Sequence, residues 1–245
     1  MAQTKIEWTH STWNPLTGCT QLSPGCANCY AKRMTPRNMA LHPVKYAKGF
    51  NLACHPAELE APKGIKSGRM IFVNSMSDTF HPHVTDQFIN AMFDTMVACP
   101  QHLFQVLTKR SQRLLHRAAS LPWPSHIWQG VTVEHQDYVD RIDHLRATPA
   151  AVKFLSLEPL LGPLPNLNLN GIHWVIVGGE SGPGARPISP SWVRDIRDQC
   201  VEAGVDFFFK QWGGVRKKAA ERTLDGCIWN EIPPHHIVAK TRKSK

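Results

Sequence analysis

No stretch of this 245-residue chain reaches about 18 consecutive apolar residues, so the sequence offers no membrane-spanning helix. Its start, MAQTKIEWTH, lacks the apolar core of a secretory signal, and the expectation is a cytoplasmic protein with no membrane partner. Acidic residues are scarce: 19 Asp and Glu stand against 28 Lys and Arg, a net charge of +9. That surplus is compatible with a polyanionic partner without demanding one. No G-x-G-x-x-G occurs, and the spacing of Gly179, Gly182 and Gly184 argues against a dinucleotide-binding loop. No break in composition marks a second domain. Global disorder is excluded by a hydrophobic fraction of 42%, which can fill a core at this length. The seven cysteines are an odd number, and a cytoplasmic chain gains little from a disulfide framework, so thiol chemistry or metal ligation takes precedence.

What is present is alternation. Short apolar runs at residues 70–73, 103–107, 127–133, 152–157, 174–177 and 205–209 are too short for helices and too continuous for half-exposed strands. They read as buried parallel strands. Between them Phe88, Ile89, Met92, Phe93, Met96 and Val97 recur at helical spacing, as do Val139, Ile142 and Leu145, and Trp192, Val193, Ile196 and Cys200. Ser189-Pro190 is a helix start, and Gly204 a helix stop. Such a chain folds as an open doubly wound sheet or as a full or partial β/α barrel. Polar residues crowd the C-terminal ends of nearly all the runs, which suits a barrel whose top face is ringed by functional loops. The expected fold is therefore α/β, a partial (β/α) barrel of about six parallel strands. One domain over residues 1–238 is expected, with residues 13–18 offering one more strand, an insertion around 42–68 and a basic mobile tail at 239–245.

The densest chemical signal is a C-x6-C-x2-C array of Cys19, Cys26 and Cys29, set among Thr17, Gly18, Ser23, Pro24 and Gly25. Turn formers of this kind can fold a loop so that three thiolates converge. Zinc in a closed structural site would need a fourth ligand, with His10, Cys54 or His55 as candidates. An iron–sulfur cube held by three cysteines would leave one iron open to an exogenous ligand. Cys99 and Cys200 sit on apolar helix faces and read as small core residues, while Cys54 and Cys227 are scattered.

A three-cysteine loop after a first strand, closed by Cys29-Tyr30 and followed by a partial β/α barrel, resembles the radical S-adenosylmethionine (radical SAM) superfamily. Asn74 to Asp78 (NSMSD), Leu107 to Lys109 (LTK), Leu157 to Gly162 (LEPLLG) and Val177 to Gly182 (VGGESG) extend the resemblance over about residues 5–215. In motif style they look like the spore photoproduct lyase branch and an uncharacterised phage-associated branch near it. The superfamily's usual loop has three residues between its first two cysteines, and this one has six. The resemblance implies a [4Fe-4S] cluster on Cys19, Cys26 and Cys29, S-adenosyl-L-methionine as cofactor, and an electron donor such as flavodoxin or ferredoxin. Tyr30 would be among the cofactor-binding residues. Asn74, Ser75, Ser77 and Asp78 would receive the cofactor's amino group, Lys109 its carboxylate, and Thr132 or Glu134 its ribose, with Glu158, Gly178, Gly179 and Glu180 completing the pocket. The Gly-Gly-Glu tripeptide follows a late strand, so the role that an early-strand tripeptide has in the superfamily is not carried to it. No catalytic residue is assigned.

Three basic groups bear on the substrate: Lys32, Arg33 and Arg37; Lys109, Arg110 and Arg113; and Arg216, Lys217 and Lys218. They could hold phosphates, and Trp8, Trp13, Trp212 and Trp229 could stack a base, which gives a nucleic-acid partner and a DNA-repair lyase or base-modifying enzyme. Solvated surface and core packing are the other fates of such residues. Two rival functions stay open, a zinc- or cluster-stabilised nucleic-acid-binding protein without catalysis, and a radical enzyme acting on a small molecule or peptide.

Overall fold

The computed structural model describes residues 2–215 and 222–234. The third basic group, residues 216–218, and the tail at 239–245 lie outside them. Strands β1 (Ala2–Gln3) and β2 (Ser11–Trp13) pair antiparallel, while β3 (Leu16–Thr17) and β4 (Ala53–Cys54) form a small ladder of their own. Then come β5 (Met70–Val73), β6 (Leu103–Thr108), β7 (Ile127–Thr132), β8 (Lys153–Leu157), β9 (Trp174–Gly178) and β10 (Asp206–Gln211), with a terminal pair β11 (Thr223–Leu224) and β12 (Cys227–Ile228). The helices are α1 (Tyr30–Leu41), α2 (Asp86–Val97), α3 (Ser111–Ala118), α4 (Asp140–Arg146) and α5 (Pro190–Ala203).

The main sheet runs β1-β2-β5-β6-β7-β8-β9-β10, and each pair from β2 onward is parallel. The order never reverses. Right-handed crossovers between strands in sequence order put every connection on the same face, which is what a doubly wound sheet does not do. The sheet curls into a half-barrel of seven parallel strands among the described residues, one more than the apolar runs suggested. The additional strand is β2, too short and too polar to register as a run. Residues 13–18 therefore do not form one strand: Trp13 ends β2, and Leu16–Thr17 turns away to pair with β4.

Alternation sorts side chains between two cores. Ile71, Val73, Phe104, Val106, Val131, Leu155, Val175 and Phe207 meet the helices on the outer face. Helix α2 contributes Ile89, Met92, Phe93 and Met96 to that layer, capped by Thr85, whose side chain accepts from the Phe88 amide. Val97, expected on the same face, is exposed. Helix α5 starts at Pro190 and stops at Gly204 with φ 64°, as its sequence signals require. On the inner face Met70, Phe72, Leu103, Trp128, Phe154, Trp174, Ile176 and Phe208 join Trp8 in a second core. Trp174 is its centre, with the rings of Trp8, Trp128, Phe154 and Phe208 at 5.7–6.2 Å. Gly130 belongs to this packing, since a Cβ there would lie 2.4 Å from the Phe154 ring. The aromatics fill the N-terminal half of the concave face and leave the C-terminal half to polar groups.

The insertion at 42–68 packs back on the fold. Besides β4 it carries a 3-10 helix, Pro56–Glu60, and a buried Tyr46 that clusters with Ala31 and Met76. Among the described residues no helix is long and apolar enough to cross a membrane.

Candidate functional site

Above the aromatic floor a cavity of about 1170 Å³ opens at the C-terminal strand ends. Cys19, Cys26 and Cys29 all line it, and so do Tyr30, Asn74, Ser75, Ser77, Asp78, Lys109, Thr132, Glu158, Gly179 and Glu180. Residues far apart in the sequence thus converge on one chamber. Glu134 and Gly178 stand outside the lining. A Cβ on Gly178 would sit 3.0 Å from Glu158 Oε2, so this glycine makes room for that carboxylate.

The cysteine loop is built by short-range turns and fixed from three sides. Gly18 holds φ 76°, and Cys19 N–H donates to Phe50 O at 3.1 Å, so the insertion supports the loop's first residue. The 3-10 turn Pro24–Cys26 follows, with Cys26 N–H on Ser23 O, and Cys29 N–H on Cys26 O. All seven cysteines are free; Cys19, Cys26 and Cys29 are partly accessible, whereas Cys99 and Cys200 are buried as expected. Burial first and the Asp78 carboxylate second push the Cys19 thiol up from 9.0 to about 11, against the pull of Arg110. A cation that takes the thiolate must displace that proton. The three sulfurs do not stand as a ready-made set of ligands: among the described residues, no group of three or more His, Cys, Asp and Glu side chains is close enough to hold a metal ion.

The donor chemistry fits a three-thiolate centre better than a closed zinc site. None of the proposed fourth ligands, His10, Cys54 and His55, lines the cavity. His10 Nδ1 accepts from the Met70 amide at 3.1 Å, and His55 Nε2 lies 2.8 Å from Thr17 Oγ1. Three soft thiols that line one open chamber would, if drawn together on a metal centre, leave a coordination position to an outside ligand.

Many of the polar residues expected to bind a cofactor are already engaged. Asn74 sits at φ 57°, accepts from the Leu16 amide and donates to Thr79 Oγ1. Ser75 and Ser77 bond Asn14 Oδ1 and Gly18 O, and the Tyr30 hydroxyl donates to Ser75 O. Asp78 accepts from Phe80 N–H, Thr108 Oγ1 and Lys109 N–H at 2.9, 2.7 and 3.2 Å. Glu134 is fully buried; Arg141 Nη1 binds one oxygen at 2.9 Å, and Ser23 Oγ donates to the other. It serves the cysteine loop and does not face the chamber. Glu180 accepts from Asn28 Nδ2 at 2.8 Å and from Arg186 through N, Nε and Nη2. Burial alone would raise its carboxyl, but these bonds outweigh it and hold it at about 2.

Other groups remain directed at the chamber. The Lys109 ammonium and the Thr132 hydroxyl have no hydrogen-bond partner among the described residues, although both residues line the cavity. Ser156, paired in register with Thr132, offers a second hydroxyl. Lys210 Nζ meets Glu158 Oε2 at 2.6 Å on the same wall. Ser156 escaped the sequence reading, though the inner-face alternation of β8 pointed at it; Lys210 counts in the sequence among the polar residues at the strand ends, with no role given to it.

The substrate features fare differently. Arg33 is spent on the carbonyls of Ser181 and Pro183, Arg110 on Thr20, and Arg113 on His81 O, Val84 O and Asp86. Lys32 and Arg37 are exposed on α1. Trp13 is buried with its indole N–H on Glu58 O, and Trp212 and Trp229 pack against the outer core, so none of the three lines the chamber. Trp8 does line it, but is only 3% exposed. No curated protein and no solved structure matches the chain. The family model described as "Protein of unknown function (DUF5131)" matches residues 3–233, and the chain belongs to that family.

Proposed function

We propose that this chain is a radical enzyme that carries a [4Fe-4S] cluster on Cys19, Cys26 and Cys29 and cleaves S-adenosyl-L-methionine reductively. The observation that carries the reading is the shared chamber: three free thiols and a set of uncommitted strand-end polar groups line one cavity at the C-terminal end of a half-barrel. When bound, cluster and cofactor together supply a 5′-deoxyadenosyl radical. The chain's own part is positioning and exclusion of water. Lys109 offers a cation to the cofactor's carboxylate, and the Thr132 and Ser156 hydroxyls, side by side on β7 and β8, suit the ribose diol. Glu158, with one oxygen on Lys210, keeps the other for an ammonium group. The aromatic core beneath Thr132 and Ser156 closes the chamber floor to water.

The substrate class we infer is a nucleic-acid base, from the net charge of +9 and the exposed Lys32 and Arg37 on the helix that follows the cysteine loop. A small-molecule or peptide substrate is the second reading. It is favoured by the engagement of the Arg33, Arg110 and Arg113 side chains with groups of the chain itself and by the withdrawal of Trp13, Trp212 and Trp229 from the chamber.

The test is metal and sulfide analysis after anaerobic reconstitution, followed by dithionite reduction with S-adenosylmethionine. About four irons and four sulfides per chain, with release of 5′-deoxyadenosine, are expected. One zinc per chain, or cofactor binding without cleavage, would overturn the proposal. Affinity for DNA that falls steeply with salt supports the nucleic-acid substrate; its absence supports the second reading.

A further inference from the structure

The interval from Cys19 to Cys26 is six residues long, and both it and the Cys26 to Cys29 turn are tied to strand-end loops that lie more than a hundred residues later in the chain. Ser23 Oγ donates to Glu134, whose other oxygen is held by Arg141 in a fully buried pair. Gly25 passes within van der Waals reach of the same carboxylate, where a Cβ would lie 3.0 Å from Glu134 Cδ. On the other side, Arg186 Nη2 donates to Pro24 O at 2.9 Å, while Glu180 binds both Arg186 and the Asn28 amide. Asn28 Nδ2 also reaches Gly184 O at 2.9 Å. Each carboxylate is neutralised by its arginine, so what it adds to the loop is a fixed acceptor in a low-dielectric setting, and not net charge.

We propose that Glu134 with Arg141, and Glu180 with Arg186, are positioning residues for the cysteine loop. They hold residues 23–29 in the metal-free chain, so that the long interval presents Cys26 and Cys29 on the chamber wall before anything binds. The consequence for metal loading rests on the reading of Cys19, Cys26 and Cys29 as one centre; the anchoring itself does not. Preorganising the loop removes ordering entropy that three converging thiolates would otherwise have to overcome.

The experiment compares wild type with Ser23→Ala/Asn28→Ala, which cuts the two side-chain ties to the carboxylates while leaving both ion pairs and the Arg186 to Pro24 O bond intact, and with Arg186→Lys, which keeps the charge but cannot span Glu180 and Pro24 O together. Hydrogen exchange on metal-free protein is expected to speed up about tenfold or more at the Cys26, Ala27 and Cys29 amides, with β5 to β10 unchanged. After anaerobic reconstitution the double variant should retain less than about half the wild-type iron and give a broadened electron paramagnetic resonance signal, with Arg186→Lys intermediate. Exchange at residues 23–29 within twofold of wild type in both variants would overturn the anchoring. Altered exchange with wild-type iron content and an unchanged spectrum would overturn the positioning role. If the wild type itself takes up no iron, the cluster reading fails, and the exchange arm still decides the anchoring.

Discussion

Replacing Gly18 by alanine should unseat the cysteine loop at its first residue, and the cost is calculable. A Cβ at Gly18 would lie 2.2 Å from Asn51 O, 2.4 Å from Asn51 C and 2.7 Å from Phe50 O, all backbone atoms that cannot swing aside as a side chain does. The glycine's φ of 76° adds left-handed strain of about 1–2 kcal/mol for any residue with a Cβ. Displacing the 50–51 backbone adds about 1–3 kcal/mol by analogy with overpacked cores. Moving Phe50 O also strips the Cys19 amide of its acceptor, a further loss of about 1 kcal/mol. The expected destabilisation is about 3–6 kcal/mol, a large share of the roughly 5–15 kcal/mol that keeps a domain folded. Gly204→Ala is the matched control, because φ is 64° there and nothing lies within 4 Å of the added carbon. It should lose only about 1 kcal/mol. Urea unfolding of the metal-free proteins under anaerobic conditions measures both, provided the m-values agree. If Gly18→Ala loses no more than Gly204→Ala, the close approach of the insertion to the loop is not what the geometry says, and the reasoning fails.

Three further outcomes follow from particular contacts. Gly130→Ala should destabilise by about 1–3 kcal/mol by thermal unfolding, because its Cβ would meet the Phe154 ring at 2.4 Å, and trimming that ring with Phe154→Leu should recover part of the loss. Lys109→Gln should weaken S-adenosylmethionine binding by about tenfold or more in calorimetry without moving the melting temperature, since the ammonium has no partner among the described residues; unaltered affinity would remove Lys109 from the site. Glu180, held at about 2 and so below its ordinary 4.5, contributes stability that is complete above about pH 4.5 and is lost as the pH falls towards 2. Protection of the 23–29 amides, corrected for intrinsic exchange, should decline in that acid window, and a decline between pH 5 and 8 would contradict the assignment.

The half-barrel was legible because parallel strands buried on both faces leave continuous apolar runs, and helices packed on one side leave a 3.6-residue period. Ser189-Pro190 and Gly204 marked the ends of α5 for the same local reasons that shape them in the fold. What escaped was set by long-range pairing. Strand β2 exists because Ser11, Thr12 and Trp13 lie in register with Ile71, Phe72 and Val73, and a run of three residues is too short to carry a strand signal of its own. Likewise Leu16 and Thr17 leave the main sheet because Cys54 and Ala53 meet them, a pairing across nearly forty residues that no local pattern encodes.

The site divides along the same line. Residues that continue the inner-face alternation within a strand, Thr132 after Trp128 and Gly130, and Ser156 after Phe154, end up on the chamber wall, and their placement follows from period two. Lys210 reaches it at an irregularity in β10, where the register shifts between Phe209 and Gln211. Asp78, Glu134 and Glu180 stand just past the strand ends, where direction is set by hydrogen bonding and not by pleat. In the sequence a carboxylate there looks the same whether it meets a ligand or an amide of its own chain. Burial decides between the two. A carboxylate removed from water must be paired, and the nearest unsatisfied donors in this fold belong to a turn-rich cysteine loop with little regular structure to satisfy them. Glu134 and Glu180 were therefore drawn into holding Ser23 and Asn28, while Asp78 holds its own turn and the end of β6 through Phe80 N–H, Thr108 Oγ1 and Lys109 N–H. Among the chamber-lining groups, the Lys109 ammonium and the Thr132 and Ser156 hydroxyls are left without a hydrogen-bond partner among the described residues, which is why the proposed cofactor contacts fall to them.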